Sequence, residues 1–237
     1  GAHGWDNFTD MFNVANVCAN WLVLRNAEFL PDNFWGNDKD IDMLCDNVEN
    51  VVFALNAKVK GQDGANFEVT IAEQKIDVDM RVIGDEYYDR LWQSDMLLNK
   101  VYKGVVPLMN KADYFYSLLY HARIHKAVVK PIYIPRLTAL ATELGFELNA
   151  HVFTSGELCA TFMDDYFSSK GYNFTYPSDY PCYESLNRDV IQHLTQIKIT
   201  SIPLQFKIKL LKNRLFLLGC KLFPRSLKEL AKRVLGR

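Results

Sequence analysis

Apolar and polar residues alternate along several short segments in the first half of the chain. The alternation is clear over 40–45, 66–71 and 76–83, where β-branched and other apolar residues take every second position. Because successive side chains of a strand point to opposite faces, this period of two predicts β-strands with one buried face. The short link 72–75 predicts that the last two form an antiparallel hairpin, and the segment 21–25, whose first four residues are apolar, predicts a further strand.

Apolar positions three and four residues apart are typical of amphipathic helices and dominate the second half of the chain. The helices predicted in this way are 7–20, 48–57, 87–100, 112–126, 134–144, 157–169 and 184–195. We therefore expect an α+β fold, in which a mixed β-sheet with flanking helices is followed by a mostly helical region. The predicted division is a first domain over 1–110, a helical domain over 111–204 and basic amphipathic helices over 205–237.

Composition narrows the class of protein. The 237 residues, 49% of them hydrophobic, are enough to bury a substantial core. The five cysteines are an odd number without a Cys-x-x-Cys pair, which argues against a disulfide framework and against a zinc site. No apolar run approaches the roughly 18 residues of a membrane-spanning helix, and the chain opens without a signal-peptide pattern. We expect a cytoplasmic protein.

The most unusual positions are acids within two of the predicted strands. Asp40 and Asp42 share one strand face, and Asp77 and Asp79 share a face of a later strand. Side chains two apart on a strand are roughly 7 Å apart, so these carboxylates repel unless a cation lies among them. Mg²⁺, or Mn²⁺ in its place, prefers carboxylate oxygens and is usual where phosphate is transferred. The alternative is a solvated sheet face or edge.

These strands resemble the DNA polymerase beta-like nucleotidyltransferase superfamily, which includes the fukutin- and LicD-type phosphosugar enzymes. The resemblance covers roughly residues 20 to 140 and rests on Asp-x-Asp in one strand and a further acid in a later one. It implies that Asp40, Asp42 and Asp79 hold two metal ions that activate a nucleotide or phosphodiester donor. Asp77 is then either the general base or the third ligand. The wider pattern is similar to domains encoded in bacterial surface-polysaccharide loci.

The chain departs from the superfamily after the first predicted strand. There the superfamily has Gly-Gly or Gly-Ser, whose backbone N–H groups bind donor phosphates, whereas this chain has Arg25 and Asn26. These two residues are expected to contact phosphate instead, Arg25 through a bidentate guanidinium, and Arg81 beside Asp79 is expected to act likewise. An ion pair between Arg25 and a motif aspartate is the alternative interpretation.

Two histidines and a lysine lie near the end of the predicted helix 112–126. His121 and His125 are four residues apart, but the first is not followed by Glu and no third ligand is apparent, so zinc is not expected. Either His125 and Lys126 face the cleft and neutralise phosphate, or His121 forms a hydrogen bond within the core. The aromatic run over 87–92 is interpreted as core packing rather than as a sugar-binding platform.

Charge is strongly segregated along the chain. Residues 205–237 hold ten basic residues and one acid, a net charge of +9, whereas the whole chain carries −1. Leucines and phenylalanines interleave with these basic residues. The pattern indicates amphipathic helices suited to an anionic membrane surface. The alternative is a terminal helical hairpin packed on the body; nucleic acid is not expected as a partner.

The function expected from these features is a metal-dependent transferase of nucleotidyl, phospho-alditol or phosphosugar groups in surface-polysaccharide biosynthesis. Its donor would be a nucleotide or a cytidine-diphosphate-linked alcohol, and its acceptor a glycan or alditol hydroxyl. Two alternatives stay open. The chain could be a non-catalytic module of the same fold used for docking or glycan binding, or a nucleotidyltransferase that modifies another small molecule or a protein.

Overall fold

The computed structural model describes residues 3–35, 40–60, 66–198, 202–209 and 211–212. The helices are α1 (Phe8–Cys18), α2 (Val48–Leu55), α3 (Arg90–Leu98), α4 (Lys111–Arg123), α5 (Tyr133–Glu143), α6 (Gly156–Lys170), α7 (Tyr180–Ser185) and α8 (Arg188–Ile191). The strands are β1 (Trp21–Val23), β2 (Asp40–Cys45), β3 (Lys58–Val59), β4 (Asn66–Ile71), β5 (Gln74–Val82), β6 (Val101–Lys103) and β7 (Val106–Leu108). Short 3₁₀ helices span Ala27–Phe29 and Ala150–Phe153.

These strands form one mixed, open sheet, which confirms the expected α+β class. The strand order is β3-β4-β5-β2-β1-β7-β6. The β2–β5 and β1–β7 pairs are parallel and the other neighbours are antiparallel. The predicted β4–β5 hairpin is present, and its two-residue turn, Ala72 and Glu73, has positive φ at both positions. Such a turn matches the right-handed twist of the paired strands.

Each face of the sheet packs against a different layer. On one face, Trp21, Met43 and Val78 form a buried cluster with residues of α1 and α2. On the other, Leu22 and Leu44 join a larger cluster with residues of α3, α4, α5 and α6. This larger cluster includes residues on both sides of position 110, so the mostly helical region packs directly on the sheet. The strand alternation decides which side chains enter which layer.

Several predicted boundaries differ from the observed ones. The helix predicted over 87–100 begins only at Arg90, because the Asp89 carboxylate accepts hydrogen bonds from backbone N–H groups of the first turn. The helix predicted over 112–126 ends at Arg123. The single helix predicted over 184–195 is instead α7 and α8, because Leu186 is extended and Asn187 caps a new helix. Strands β3, β6 and β7 were not predicted.

The predicted basic helices lie largely outside the described residues. Within 205–237, residues 205–209 and 211–212 are described and are helical, in a segment that begins at 204. Among the helices of the described ranges, none is both long enough and apolar enough to cross a membrane.

Candidate functional site

The predicted acids of β2 and β5 lie side by side on one face of the sheet. The two strands are parallel, with Asp40 opposite Asp77 and Asp42 opposite Asp79. The sequence predicted which acids share a face within each strand, and the pairing of the strands brings both sets together. β4 extends the polar face, since Glu68 lies opposite Asp77. These acids form an acidic face at the N-terminal end of β2.

Asp42 is held by Arg25, so the ion pair that the sequence left open is formed. Nε of Arg25 donates to Asp42 Oδ2 at 3.0 Å, and Nη2 donates to Oδ1, which makes the contact bidentate. Asp42 is only 9% exposed. Burial alone would lower the pKa of Arg25, but the nearby Asp42 carboxylate and Tyr87 outweigh burial and raise it. Arg25 is therefore a permanent cation at the rim of the acidic face.

Asp79 and Asp77 have different surroundings. Asp79 is half-buried, and its pKa is raised by burial and by the neighbouring charge of Asp42. Among the residues that the structure describes, no basic side chain forms an ion pair with Asp79. Asp77 is half-exposed, and the ammonium of Lys60 is 2.7 Å from its Oδ2. Of Asp42, Asp77 and Asp79, Asp79 is therefore the acid whose charge is least compensated by a direct ion pair.

Arg81 follows Asp79 on the same strand face, but its guanidinium is bound by α7. Nη1 donates to Asp179 at 2.9 Å and is 3.8 Å from an oxygen of Asp85. Nη2 is 3.6 Å from the sulfur of Cys182, and the guanidinium lies 4.0 Å above the Tyr87 ring. Asp179 is the N-cap of α7. Arg81 thus connects the acidic strand to the helical region, and any phosphate it binds must compete with Asp179.

Tyr87 is buried in the core, as predicted for the aromatic run over 87–92, but its contacts with Arg25 and Arg81 were not predicted. Its hydroxyl accepts a hydrogen bond from Arg25 Nη1 at 3.3 Å and is 3.1 Å from Nδ1 of His121. Burial raises the pKa of Tyr87 to about 12, so the phenol stays neutral. Tyr87 precedes α3 rather than lying on it, in the loop that directly follows the acidic strand β5. This position directly after β5 is the sequence feature that could have indicated a role in the site.

The histidines belong to the core beneath this loop. His125 is 1% exposed, and its ring centroid lies 4.1 Å from that of Tyr87 and 4.7 Å from that of Tyr120. The pKa of each histidine is lowered, chiefly by burial and further by the nearby arginines, so both are neutral at pH 7. His125 therefore neither faces an open cleft nor neutralises phosphate. His121 forms the core hydrogen bond that was the alternative, and Lys126 is half-buried just beyond α4.

Asn26, in the turn after β1, takes a glycine-like conformation. Its φ is +58°, in the left-handed region that Asn tolerates better than most residues. Its side-chain oxygen accepts a hydrogen bond from Arg136 Nη1 at 3.0 Å, and Arg136 also pairs with Glu28. The turn after β1 is therefore fixed by α5, and the side chain of Asn26 is already engaged.

A cavity of about 510 Å³ adjoins this turn. Its floor is mainly apolar and its rim carries both signs of charge, including Lys111 and Glu143, which pair at 2.8 Å. The lining residues are Val23, Ala27, Glu28, Lys103, Leu108, Met109, Lys111, Tyr114 and Glu143. Ala27 and Glu28 follow Arg25 and Asn26 directly, so the cavity lies next to the residues that border the acidic face.

The acidic face brings together carboxylates of two adjacent strands. Asp42 and Asp79 carry carboxylates on adjacent strands. Asp40 carries a further carboxylate two residues before Asp42 on the same strand. Mg²⁺ commonly binds one or two carboxylates and completes its shell with water and substrate phosphate. In the part of the chain that the structure describes, no three His, Cys, Asp or Glu side chains are close enough to form a metal centre on their own.

Comparison of the chain with protein-family models and with curated proteins found no match.

Proposed function

We propose that the chain is a divalent-metal-dependent transferase of nucleotidyl, phospho-alditol or phosphosugar groups that acts in surface-polysaccharide biosynthesis on the cytoplasmic side of the membrane. The observation that carries the proposal is the alignment of Asp42 with Asp79 on adjacent parallel strands, with the guanidinium of Arg25 at their rim. Carboxylates that share one face and a cation beside them are the groups that phosphoryl transfer requires.

Asp40, Asp42 and Asp79 would hold Mg²⁺ or Mn²⁺ together with the donor phosphate, because the three carboxylates do not form a metal centre on their own. The bound ion would neutralise charge on the transferred phosphoryl group and polarise its phosphorus. Arg25 neutralises Asp42 before substrate arrives, and its planar guanidinium suits bidentate binding of phosphate. A donor phosphate would have to compete with Asp42 for this guanidinium. Tyr87 positions Arg25 through its hydroxyl. The donor class is a nucleoside triphosphate or a cytidine-diphosphate-linked alditol.

The acceptor would be a sugar or alditol hydroxyl, and two features support a place for it. The 510 Å³ cavity beside the Asn26 turn is large enough for a sugar unit, with an apolar floor and hydrogen-bonding groups at its rim. Asp77 is half-exposed and would take the proton of the acceptor hydroxyl as that oxygen bonds to phosphorus and the donor's phosphate ester or anhydride bond breaks. Lys60 would have to release Asp77 for this step.

One observation favours a second candidate, a non-catalytic module for docking or glycan binding. Asp42 and Asp77 already pair with cations of the chain itself, Arg25 and Lys60. Acids neutralised in this way do not require a metal ion. A chain that kept the fold and lost the activity would show this arrangement.

Calorimetric titration of the full chain with nucleotides, with and without Mg²⁺, tests the proposal. We expect nucleotide or cytidine-diphosphate-alditol binding that depends on Mg²⁺ and is lost in Asp79→Asn. Glu68→Gln is the matched control, because Glu68 lies on the same polar face but pairs with Lys75. That variant should bind as the unaltered chain does. Absence of metal-dependent binding in the unaltered chain would overturn the transferase proposal and favour the docking module.

A further inference from the structure

The first turns of the basic segment are anchored on α7. Residues 204–209 and 211–212 are helical, and Phe206 is buried against two aromatic rings of α7. The ring centroids of Tyr180 and Tyr183 lie 5.4 Å and 5.6 Å from that of Phe206. The ammonium of Lys209 lies 4.1 Å from the centre of the Tyr180 ring. One side of this helix is therefore fixed to the body of the protein.

The opposite side presents an apolar stripe to solvent. Leu204, Ile208 and Leu211 are 71%, 46% and 58% exposed. Their spacing of four and three residues places them on one helical face, roughly opposite Phe206. We call these three residues the Leu-Ile stripe. In the sequence, leucines continue the same spacing at 215 and 218, which lie outside the described residues.

Basic side chains flank the stripe on both sides. Lys207 and Lys212 are exposed and project to either side of it at helical spacing. A second copy of this helix packed on the stripe would bring lysines against lysines, and that juxtaposition is unfavourable. An anionic lipid surface suits both the stripe and the lysines. The apolar side chains can insert between the lipids while the lysines contact negative headgroups.

We propose that the Leu-Ile stripe is a docking surface for anionic lipid membrane. Leu204, Ile208 and Leu211 insert into the headgroup region, and Lys207 and Lys212 supply the electrostatic attraction. The same helix contacts α7, whose N-cap Asp179 binds Arg81 at the acidic face. Docking would thus hold the candidate site near the membrane, where lipid-linked acceptors are found. The inference rests on the exposed stripe and stands independently of the proposed transfer reaction.

Cosedimentation of the full chain with vesicles tests this surface. We expect binding to phosphatidylcholine vesicles that contain phosphatidylglycerol, weak binding to pure phosphatidylcholine, and loss of binding in 1 M NaCl, where the Debye length is about 3 Å. The variant Ile208→Ser/Leu211→Ser should bind roughly tenfold or more weakly, because two apolar side chains no longer leave water. The variant Lys207→Glu/Lys212→Glu should weaken binding only at low salt.

Leu98→Ser is the matched control, because Leu98 is 80% exposed at the end of α3 and lies outside the stripe. It should bind vesicles as the unaltered chain does. Unchanged vesicle binding by the stripe variant would overturn the proposal, as would failure of the unaltered chain to bind anionic vesicles at low salt. A stripe variant with a clearly lower Tm and unchanged binding would show that residues 213–237 pack on the stripe as a terminal hairpin. A dimer in gel filtration that the stripe variant abolishes, without vesicle binding, would assign the stripe to a second copy.

Discussion

Asp42 lies directly opposite Asp79 on the neighbouring parallel strand, and the two carboxylates share one face of the sheet. Burial and the charge of Asp42 together raise the pKa of Asp79. A raised pKa means that the folded protein binds this proton more tightly than the unfolded chain does. The contribution of Asp79 to stability therefore decreases as the pH rises above the ordinary aspartate range. In the absence of metal, ionisation of Asp79 therefore costs the protein stability at neutral pH.

Asp79→Asn should therefore leave the metal-free protein as stable at pH 7 as the unaltered chain, or more stable by less than about 1 kcal/mol. Relief of the repulsion from Asp42 is the reason. Urea denaturation at pH 7 and at pH 4 measures the effect, and the gain should be smaller at pH 4. A loss of more than about 2 kcal/mol at pH 7 would instead indicate that Asp79 is a structural hydrogen-bond acceptor.

Removal of Arg25 should be far more costly. The Arg25–Asp42 pair is largely shielded from water, and deletion of one partner leaves the other as an uncompensated buried charge. We expect Arg25→Met and Asp42→Asn each to lose about 3 kcal/mol, and the double variant to lose less than the sum of the two. Guanidinium denaturation of the three variants forms the cycle. Additive losses would show that the pair is not coupled.

Tyr87→Phe should weaken metal-dependent nucleotide binding as well as stability. The change removes the hydroxyl that contacts Arg25 and His121 and leaves the ring beneath Arg81 in place. We expect a loss of about 1–2 kcal/mol in unfolding free energy and a lower nucleotide affinity by calorimetry.

The control for this variant is Tyr172→Phe, which removes a hydroxyl hydrogen bond of 2.7 Å to Asp95 away from the acidic face. It should reduce stability to a similar extent and leave nucleotide affinity unchanged. Equal effects of the two variants on nucleotide affinity would mean that Tyr87 acts through general stability rather than through Arg25.

Neutral buried histidines make the protein sensitive to acid. The pKa of His125 is lowered in the folded state, chiefly by burial, so below pH 6.5 the unfolded chain binds a proton that the folded protein excludes. Stability should therefore fall as the pH decreases from about 6.5, by up to about 1.4 kcal/mol per pH unit for each such histidine. His125→Phe keeps an aromatic ring and should reduce this slope between pH 6 and pH 5 in urea titrations. An unchanged slope would indicate that other groups cause the acid sensitivity.

The parts of the site that the sequence predicted are those that depend on local periodicity. Alternation along 40–45 and 76–83 was sufficient to predict that Asp40 shares a face with Asp42, and Asp77 with Asp79. The direct pairing of β2 with β5 joins residues far apart in the chain, and strand periodicity does not determine which strands are neighbours. The ion-pair partner of Arg81 could not be predicted for the same reason, because Asp179 caps a helix in the other half of the chain.

The histidines show a second kind of limit. The spacing of His121 and His125 matched a helix surface, but α4 is covered on nearly every side and ends before His125. Apolar and aromatic neighbours from α3, its preceding loop and α6 bury that stretch, and none of them is adjacent to it in sequence. A pattern of polar residues on a helix therefore indicates exposure only when the number of layers packed around that helix is known.

The ion pairs around the acidic face can form at different times during synthesis of the chain. Arg25 precedes Asp42 by 17 residues, and Lys60 precedes Asp77 by the same interval. Both pairs can form as soon as β5 has left the ribosome. Arg81, by contrast, is separated from Asp179 by 98 residues. During elongation at about 5–20 residues per second, several seconds pass after the synthesis of Arg81 before Asp179 is added to the chain. In the nascent chain, phosphate therefore does not compete with Asp179 for Arg81. In the finished protein, it does.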